Sequence, residues 1–152
     1  MACCIILTGC AGGGKTPETQ LATAQRITAK RNDVVFDMTV TETGCEITFE
    51  RTQGLELLTL SFDGETLTAN CDGLETEVPP LFAEGILPLY QGVLACKTPG
   101  WEDAAEGIRR ISLDGKDFLV YYDPVGGLMT HLEVKGAEGT LAYQILSCIE
   151  KE

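Results

Sequence analysis

Gly9-Cys10-Ala11-Gly12-Gly13-Gly14-Lys15-Thr16 holds the densest chemistry in the chain and supports two incompatible readings. As G-x-x-x-x-G-K-T it matches the loop that cradles nucleotide phosphates. Glycine N–H groups would wrap the phosphates, Lys15 would reach the terminal ones and Thr16 would hold magnesium. Cys3-Cys4-Ile5-Ile6-Leu7 would be the strand before that loop. Phe118-Leu119-Val120-Tyr121-Tyr122, ending in Asp123, mimics its acidic companion strand. The second reading starts from the thiol. Leu7-Thr8-Gly9-Cys10 is a short apolar run, a small residue and a cysteine placed for acylation, with a flexible Gly-rich tether behind it.

The elements that must position these residues separate the two readings. A phosphate loop needs a parallel sheet whose strands are joined by long, usually helical crossovers. Between Val34 and Cys71, strand-like runs instead follow one another across Glu42-Thr43-Gly44, Thr52-Gln53-Gly54 and Asp63-Gly64. Asp-Gly between alternating runs is a hairpin signal, and hairpins make antiparallel neighbours. Asp123-Pro124 reads as a turn start, not a magnesium site. The Gly-Lys-Thr stretch is therefore expected to be a leash.

Leu7-Thr8-Gly9-Cys10 resembles the lipobox of bacterial lipoproteins. The resemblance implies that Cys10 becomes the lipidated first residue of the mature protein. Residues 1–9 then read as a truncated signal-sequence remnant, since none is Lys or Arg, and 10–16 as the lipidated cysteine and its tether. Residues 17–152 form a single domain. The location implied is the cell membrane, lipid-anchored on the extracytoplasmic face of a bacterium. Two acyl chains, as on such cysteines, suffice for stable anchoring where one does not.

Composition bounds the partners. The chain has 152 residues, enough for one domain with its own core, and a net charge of −12. No basic patch exists to neutralise phosphates, so nucleic acid is not expected as a partner. No stretch after Cys10 approaches the roughly 20 apolar residues of a membrane span. The membrane is expected to be met through the lipid, and the domain to be a monomer. Cys45, Cys71, Cys96 and Cys148 lie in the domain. Cys71–Cys96 and Cys96–Cys148 bridges are both feasible, and four buried free thiols are the alternative. No C-x-x-C pair occurs, so no metal or cofactor is expected.

Along the chain, Thr16-Pro17-Glu18 predicts a helix start, running to about Lys30 with Leu21, Ala24 and Ile27 on one face, against the sheet edge. Val34–Val40, Cys45–Glu50, Leu57–Phe62 and Thr66–Cys71 alternate apolar and polar residues with period two. Asp72–Pro80 breaks the rhythm. Pro80–Ala95 is densely apolar but interrupted by Gly85 and Pro88, which predicts two short helical turns over an apolar surface. Lys97–Asp103 is read as a loop carrying Trp101. Gly107–Leu113, Asp117–Tyr122, Leu128–Val134 and Thr140–Ile149 then form a second meander. The fold class expected is α+β: a curved, half-barrel-like antiparallel sheet with an N-terminal helix and a short helical cover.

The remaining candidates for chemistry are few. His131 is the single histidine, and none of Ser61, Ser112 or Ser147 sits on a nucleophile elbow, so no catalytic residue and no enzyme is expected. Asp37, Glu46 and Glu50 fall on outward strand faces. Phe36, Met38, Phe49, Leu60 and Tyr122 either line a ligand cavity or form the ordinary core.

The order of lipobox, helix, meander, apolar cover and second meander, with the turn Asp123-Pro124-Val125-Gly126-Gly127-Leu128-Met129, is similar to the LolA/LolB-like lipoprotein-carrier family. That family's turn reads Asp-Pro-x-x-Gly-Leu-Pro, and Met129 stands where it has proline. The resemblance implies a curved sheet covered by helices around an apolar cavity for acyl chains. The expected function is binding of an apolar ligand or a lipid or lipoprotein. The alternatives are a surface protein-interaction module without a cavity and a P-loop nucleotide-binding protein.

Overall fold

A computed structural model describes residues 16–49 and 58–150. Cys10, Glu50, Leu57 and the glycine-lysine stretch lie outside the described residues. The strands are β1 (Ala24–Arg31), β2 (Val34–Val40), β3 (Cys45–Phe49), β4 (Leu58–Phe62), β5 (Leu67–Cys71) and β6 (Leu74–Val78), then β7 (Glu102–Ala105), β8 (Ile108–Leu113), β9 (Lys116–Tyr122), β10 (Met129–Gly136) and β11 (Gly139–Glu150). They form one 11-stranded sheet in the order β6-β5-β4-β3-β2-β1-β11-β10-β9-β8-β7. Every pairing is antiparallel. Two meanders, β1–β6 and β7–β11, are thus sutured by β1 against β11. The expected α+β sheet is the fold formed.

Turn chemistry explains the local pairing. Asp72-Gly73 and Asp114-Gly115 have φ of 53° and 79°, and of 52° and 76°. Positive φ at both central residues gives the tight turn whose twist suits a hairpin.

Helix α1 (Pro17–Ala22), a 3₁₀ turn (Pro80–Ala83) and α2 (Leu87–Cys96) make up the helical part. Alternating residues of the strands face these segments and form the core, among them Ile27, Ala29, Phe36, Met38, Ile47, Leu60, Leu67, Val120, Leu132 and Tyr143.

The structure corrects four expectations. The helix from Pro17 ends at Ala22, and Ala24–Arg31 is a strand. Leu21, Ala24 and Ile27 recur at a spacing that fits a helix, but Ile27 and Ala29 also alternate, and pairing with both β2 and β11 decides for the strand. Helix α1 packs over β1, β9, β10 and β11 in the middle of the sheet and not at its edge, with Leu21 wholly buried. Asp72–Pro80 contains β6, and the segment read as a loop leads into β7 at Glu102. Both are edge strands, which need no apolar face and so leave no alternation to read. They bring the sheet to eleven strands, with β1 as the third addition.

A covered apolar face as candidate functional site

The inner face of β2, β3 and β4 brings four of the five candidate cavity residues together. Phe36 pairs across the strands with Phe49, and Met38 with Ile47, which pairs in turn with Leu60. The Phe36 and Phe49 rings lie 6.4 Å apart at 51°. Phe36, Met38 and Leu60 are 1%, 0% and 2% exposed. A void large enough for a ligand would give these side chains accessible surface, so in this structure they are packed against their neighbours. Tyr122 is half-buried on β9, in the other meander.

The segment Pro80–Cys96 lies on the inner side of the sheet, where α2 packs against α1 and β10 and reaches the first meander through Tyr90. Pro88 lies in the first turn of α2, where its missing N–H removes no helical bond. Tyr143 of β11 is 0% exposed, and its hydroxyl donates to the Gly85 carbonyl at 2.8 Å. Burial pushes the Tyr143 phenol far above its ordinary range, and the Arg31 charge and the Leu89 backbone amide offset this only in part. Gly92 lies on Leu132 so closely that a Cβ would come 2.3 Å from Leu132 Cδ2. Tyr90 packs edge-on against Phe62 at 6.1 Å. Lys116 Nζ donates to Gln91 Oε1 at 2.9 Å. Leu81 and Leu94 point outward, and Leu94 borders an open groove of about 380 Å³ with Ala95, Leu113 and Phe118.

Helix α1 is fixed by charge as well as packing. Glu18 is 6% exposed and holds Arg109 of β8 by two bonds of 2.9 Å. Arg109 also donates to Asp103 Oδ1 at 2.8 Å and to the Trp101 carbonyl at 3.2 Å. A buried carboxylate persists only when paired in this way. Gln20 clamps the turn after β9, donating to the Gly127 carbonyl at 2.6 Å and accepting from the Met129 amide at 3.1 Å.

The outer face is polar. Asp37 accepts from Thr28 and from Arg26, each at 2.6 Å. Burial opposes its charge, but these bonds and the Arg26 charge outweigh it and hold the carboxyl below its usual range. Glu46, Thr59, Ser61, Thr68, Asn70 and Glu75 line a shallow outer groove of about 340 Å³. His131 is exposed, edge-on to Tyr121 at 6.4 Å and with Nδ1 3.0 Å from Thr130 Oγ1. Ser112 bonds to Asp117, away from that histidine.

The four domain cysteines are free thiols. Burial pushes Cys45 up to about 12 and, with the Glu150 charge, Cys148 up to about 11. Cys96 lies higher still, through burial first and then the Glu18 and Cys148 charges. Among the described residues no three His, Cys, Asp or Glu side chains converge to hold a metal ion. Phe118–Tyr122, the run that mimics an acidic nucleotide-site strand, lies in β9 and pairs antiparallel with both neighbours. Asp123 accepts the Val125 amide at 3.0 Å, as a turn residue does.

Sequence reasoning missed Tyr143, the Glu18–Arg109 pair and the Gln20 clamp. Tyr143 alternates with its neighbours like any core residue, and Glu18 reads as an ordinary acid at a helix start. No family model and no curated protein matches the chain.

Proposed function

We propose that this chain is a membrane-anchored extracytoplasmic domain that binds an apolar ligand or the lipid group of a lipoprotein, with Pro80–Cys96 as a displaceable cover. The observation that carries this reading is the way the cover is held. An apolar floor of strands lies under a segment broken at Gly85 and pinned there by the buried Tyr143 hydroxyl. A helix that only closes a core presents polar residues outward, whereas α2 exposes Leu94 as well as Gln91 and is otherwise apolar. An apolar residue on the outer side suits a segment that meets apolar material in two states. Lipidation at Cys10 supplies the anchor, and the acidic surface leaves acyl chains as the attachment.

The closed state of Phe36, Met38 and Leu60 makes binding depend on the fraction of molecules with the cover displaced. Apparent affinity falls in proportion to that fraction. The test is titration of the full chain with a fluorescent fatty acid, alongside Tyr143→Phe. Saturable binding that tightens in the variant is expected, because the variant loses the bond to Gly85 and keeps the ring. Absence of saturable binding in both proteins overturns the reading. The cavity-free interaction module would then be preferred, and the tight packing of those three residues is what favours it. Mass spectrometry of the chain from a lipoprotein-processing host tests the anchor, with diacylated Cys10 expected.

A further inference from the structure

We propose that the end of the sheet where α1 enters is a bilayer-contact rim, formed by Val125, Leu128, Leu146 and Ile149, that seats the domain on a phospholipid surface. The proposal rests on the anchored reading above for the local concentration it supplies.

The four side chains are exposed by 96%, 67%, 47% and 54%. Strand direction puts them together. The start of β10 pairs with the end of β9 at Met129 and Tyr122, so the turn carrying Val125 and Leu128 lies at that end. The last residues of β11 pair with the first of β1, Ile149 with Arg26 and Glu150 with Ala24, at the same end. Helix α1 touches both groups: Gln20 bonds to Gly127 and Met129, and Thr23 to Glu150. Three residues of helix separate these two contacts, a rise of about 4.5 Å. The other large exposed apolar residues among those described are elsewhere. Val34 and Leu74 stand in hairpins at the opposite end, and Leu81 and Leu94 on the cover.

Scattered exposed apolar side chains need no explanation, but the turn residues of this group are fixed in place. Within the turn, the Gly127 amide donates to the Asp123 carbonyl at 2.7 Å and the Asp123 amide to the Leu128 carbonyl at 2.9 Å. With the Gln20 clamp, these bonds keep Val125 and Leu128 from folding back onto the core.

The occupant follows from chain length and charge. Cys10 and Thr16 are six residues apart, a separation of at most about 20 Å when fully extended. Thr16 precedes the helix that clamps the turn, so a bilayer-held Cys10 keeps this end of the domain near the lipid. Glu106 and Asp123 border the turn and the net charge is −12, which disfavours an anionic surface. Zwitterionic lipid, entered by apolar side chains at the headgroup boundary, fits better.

The test places a benzophenone-bearing residue singly at 125, 128, 34 or 74 of the full chain. Each protein is expressed in a lipoprotein-processing host, reconstituted into phosphatidylcholine vesicles, irradiated and analysed by mass. Lipid adducts at 125 and 128 with none at 34 and 74 are expected. Absence of adducts at 125 and 128, or equal adducts at all four positions, overturns the rim. The same spectra report Cys10. Diacylated Cys10 without rim adducts removes the rim alone, and unmodified Cys10 with rim adducts removes the anchor alone. Unmodified Cys10 without adducts overturns both.

Discussion

The two meanders are built from the same kind of strand but are held by different means. From β2 to β6 the register runs without interruption, and the inner face is apolar side chains packed on one another. In β7–β11, and where β1 joins β11, the register shifts at Asp103/Ala105, at Met129/His131 and twice along β1. This half also carries the long-range polar ties: Glu18 to Arg109, Tyr143 to Gly85, Lys116 to Gln91 and Gln20 to the 127–129 turn. Packing alone suffices where sequence neighbours pair. Directional bonds appear where distant segments must be held in one arrangement, and those are the segments on which the proposed displacement of the cover would depend.

The largest effect expected from breaking this contrast is at Arg109. Arg109→Met leaves the Glu18 carboxylate buried and unpaired, at a cost of about 3–5 kcal/mol. Removing both charges in a Glu18→Met, Arg109→Met double variant restores most of that loss. Urea denaturation of the parent, the Glu18→Met and Arg109→Met single variants and the double variant measures it, and an unrescued double variant would mean that packing around the pair, not charge, holds α1.

Met38→Ala in the first meander costs about 2–5 kcal/mol, with no partner substitution that recovers it. A loss well under this range in thermal unfolding would show that the β2–β4 interior is looser than its packing indicates. Gly92→Ala drives a methyl into Leu132 and costs about 1–3 kcal/mol through overpacking. Fatty-acid titration of that variant sharpens the comparison, since a helix pushed off the floor binds the probe more tightly.

Alkali gives a smaller, graded effect. The thiols of Cys45 and Cys148 have folded values raised above their ordinary 9.0, to about 12 and about 11. The native state therefore favours their protonated forms. Their contribution is fully present below pH 9 and is lost as pH rises through those folded values. Urea midpoints measured from pH 8 to 11 should fall, and Cys148→Ala should flatten the upper part of the curve. Asp37 gives the smallest effect and the opposite sign. Its folded value is lowered, so its contribution is present above the unfolded value of 3.8 and is lost as pH falls through the folded one. Arg26 is half-exposed and solvent screens the pair. Acid titration of Asp37→Asn should differ only slightly from the parent.

Legibility in the sequence followed the same division. β2–β5 and β8–β11 stand out because each alternates with period two between turn residues. β6 and β7 are mostly or wholly exposed, so neither has an apolar face to betray it. Ala24–Arg31 was ambiguous because one apolar set fits two periods. Within the site, Phe36, Met38, Phe49 and Leu60 were legible as one face, because alternation puts them there. Whether that face is open or filled was not, since it depends on what lies across from it. Tyr143 and Gly85 are 58 residues apart, and Glu18 and Arg109 are 91 apart, with no local pattern linking either pair.

What the sequence alone determined is therefore the direction of neighbouring strands. Asp-Gly and similar turns close short loops at little entropic cost, and alternation selects the buried side of each strand. What only the tertiary structure decided is the seam between β1 and β11, which turns two meanders into one sheet, and the filling of its inner face. Ile27 and Ala29 reach Cys148 and Ile145 across more than a hundred residues of chain. A closure of that length is repaid only when both meanders and the cover bury their apolar faces together.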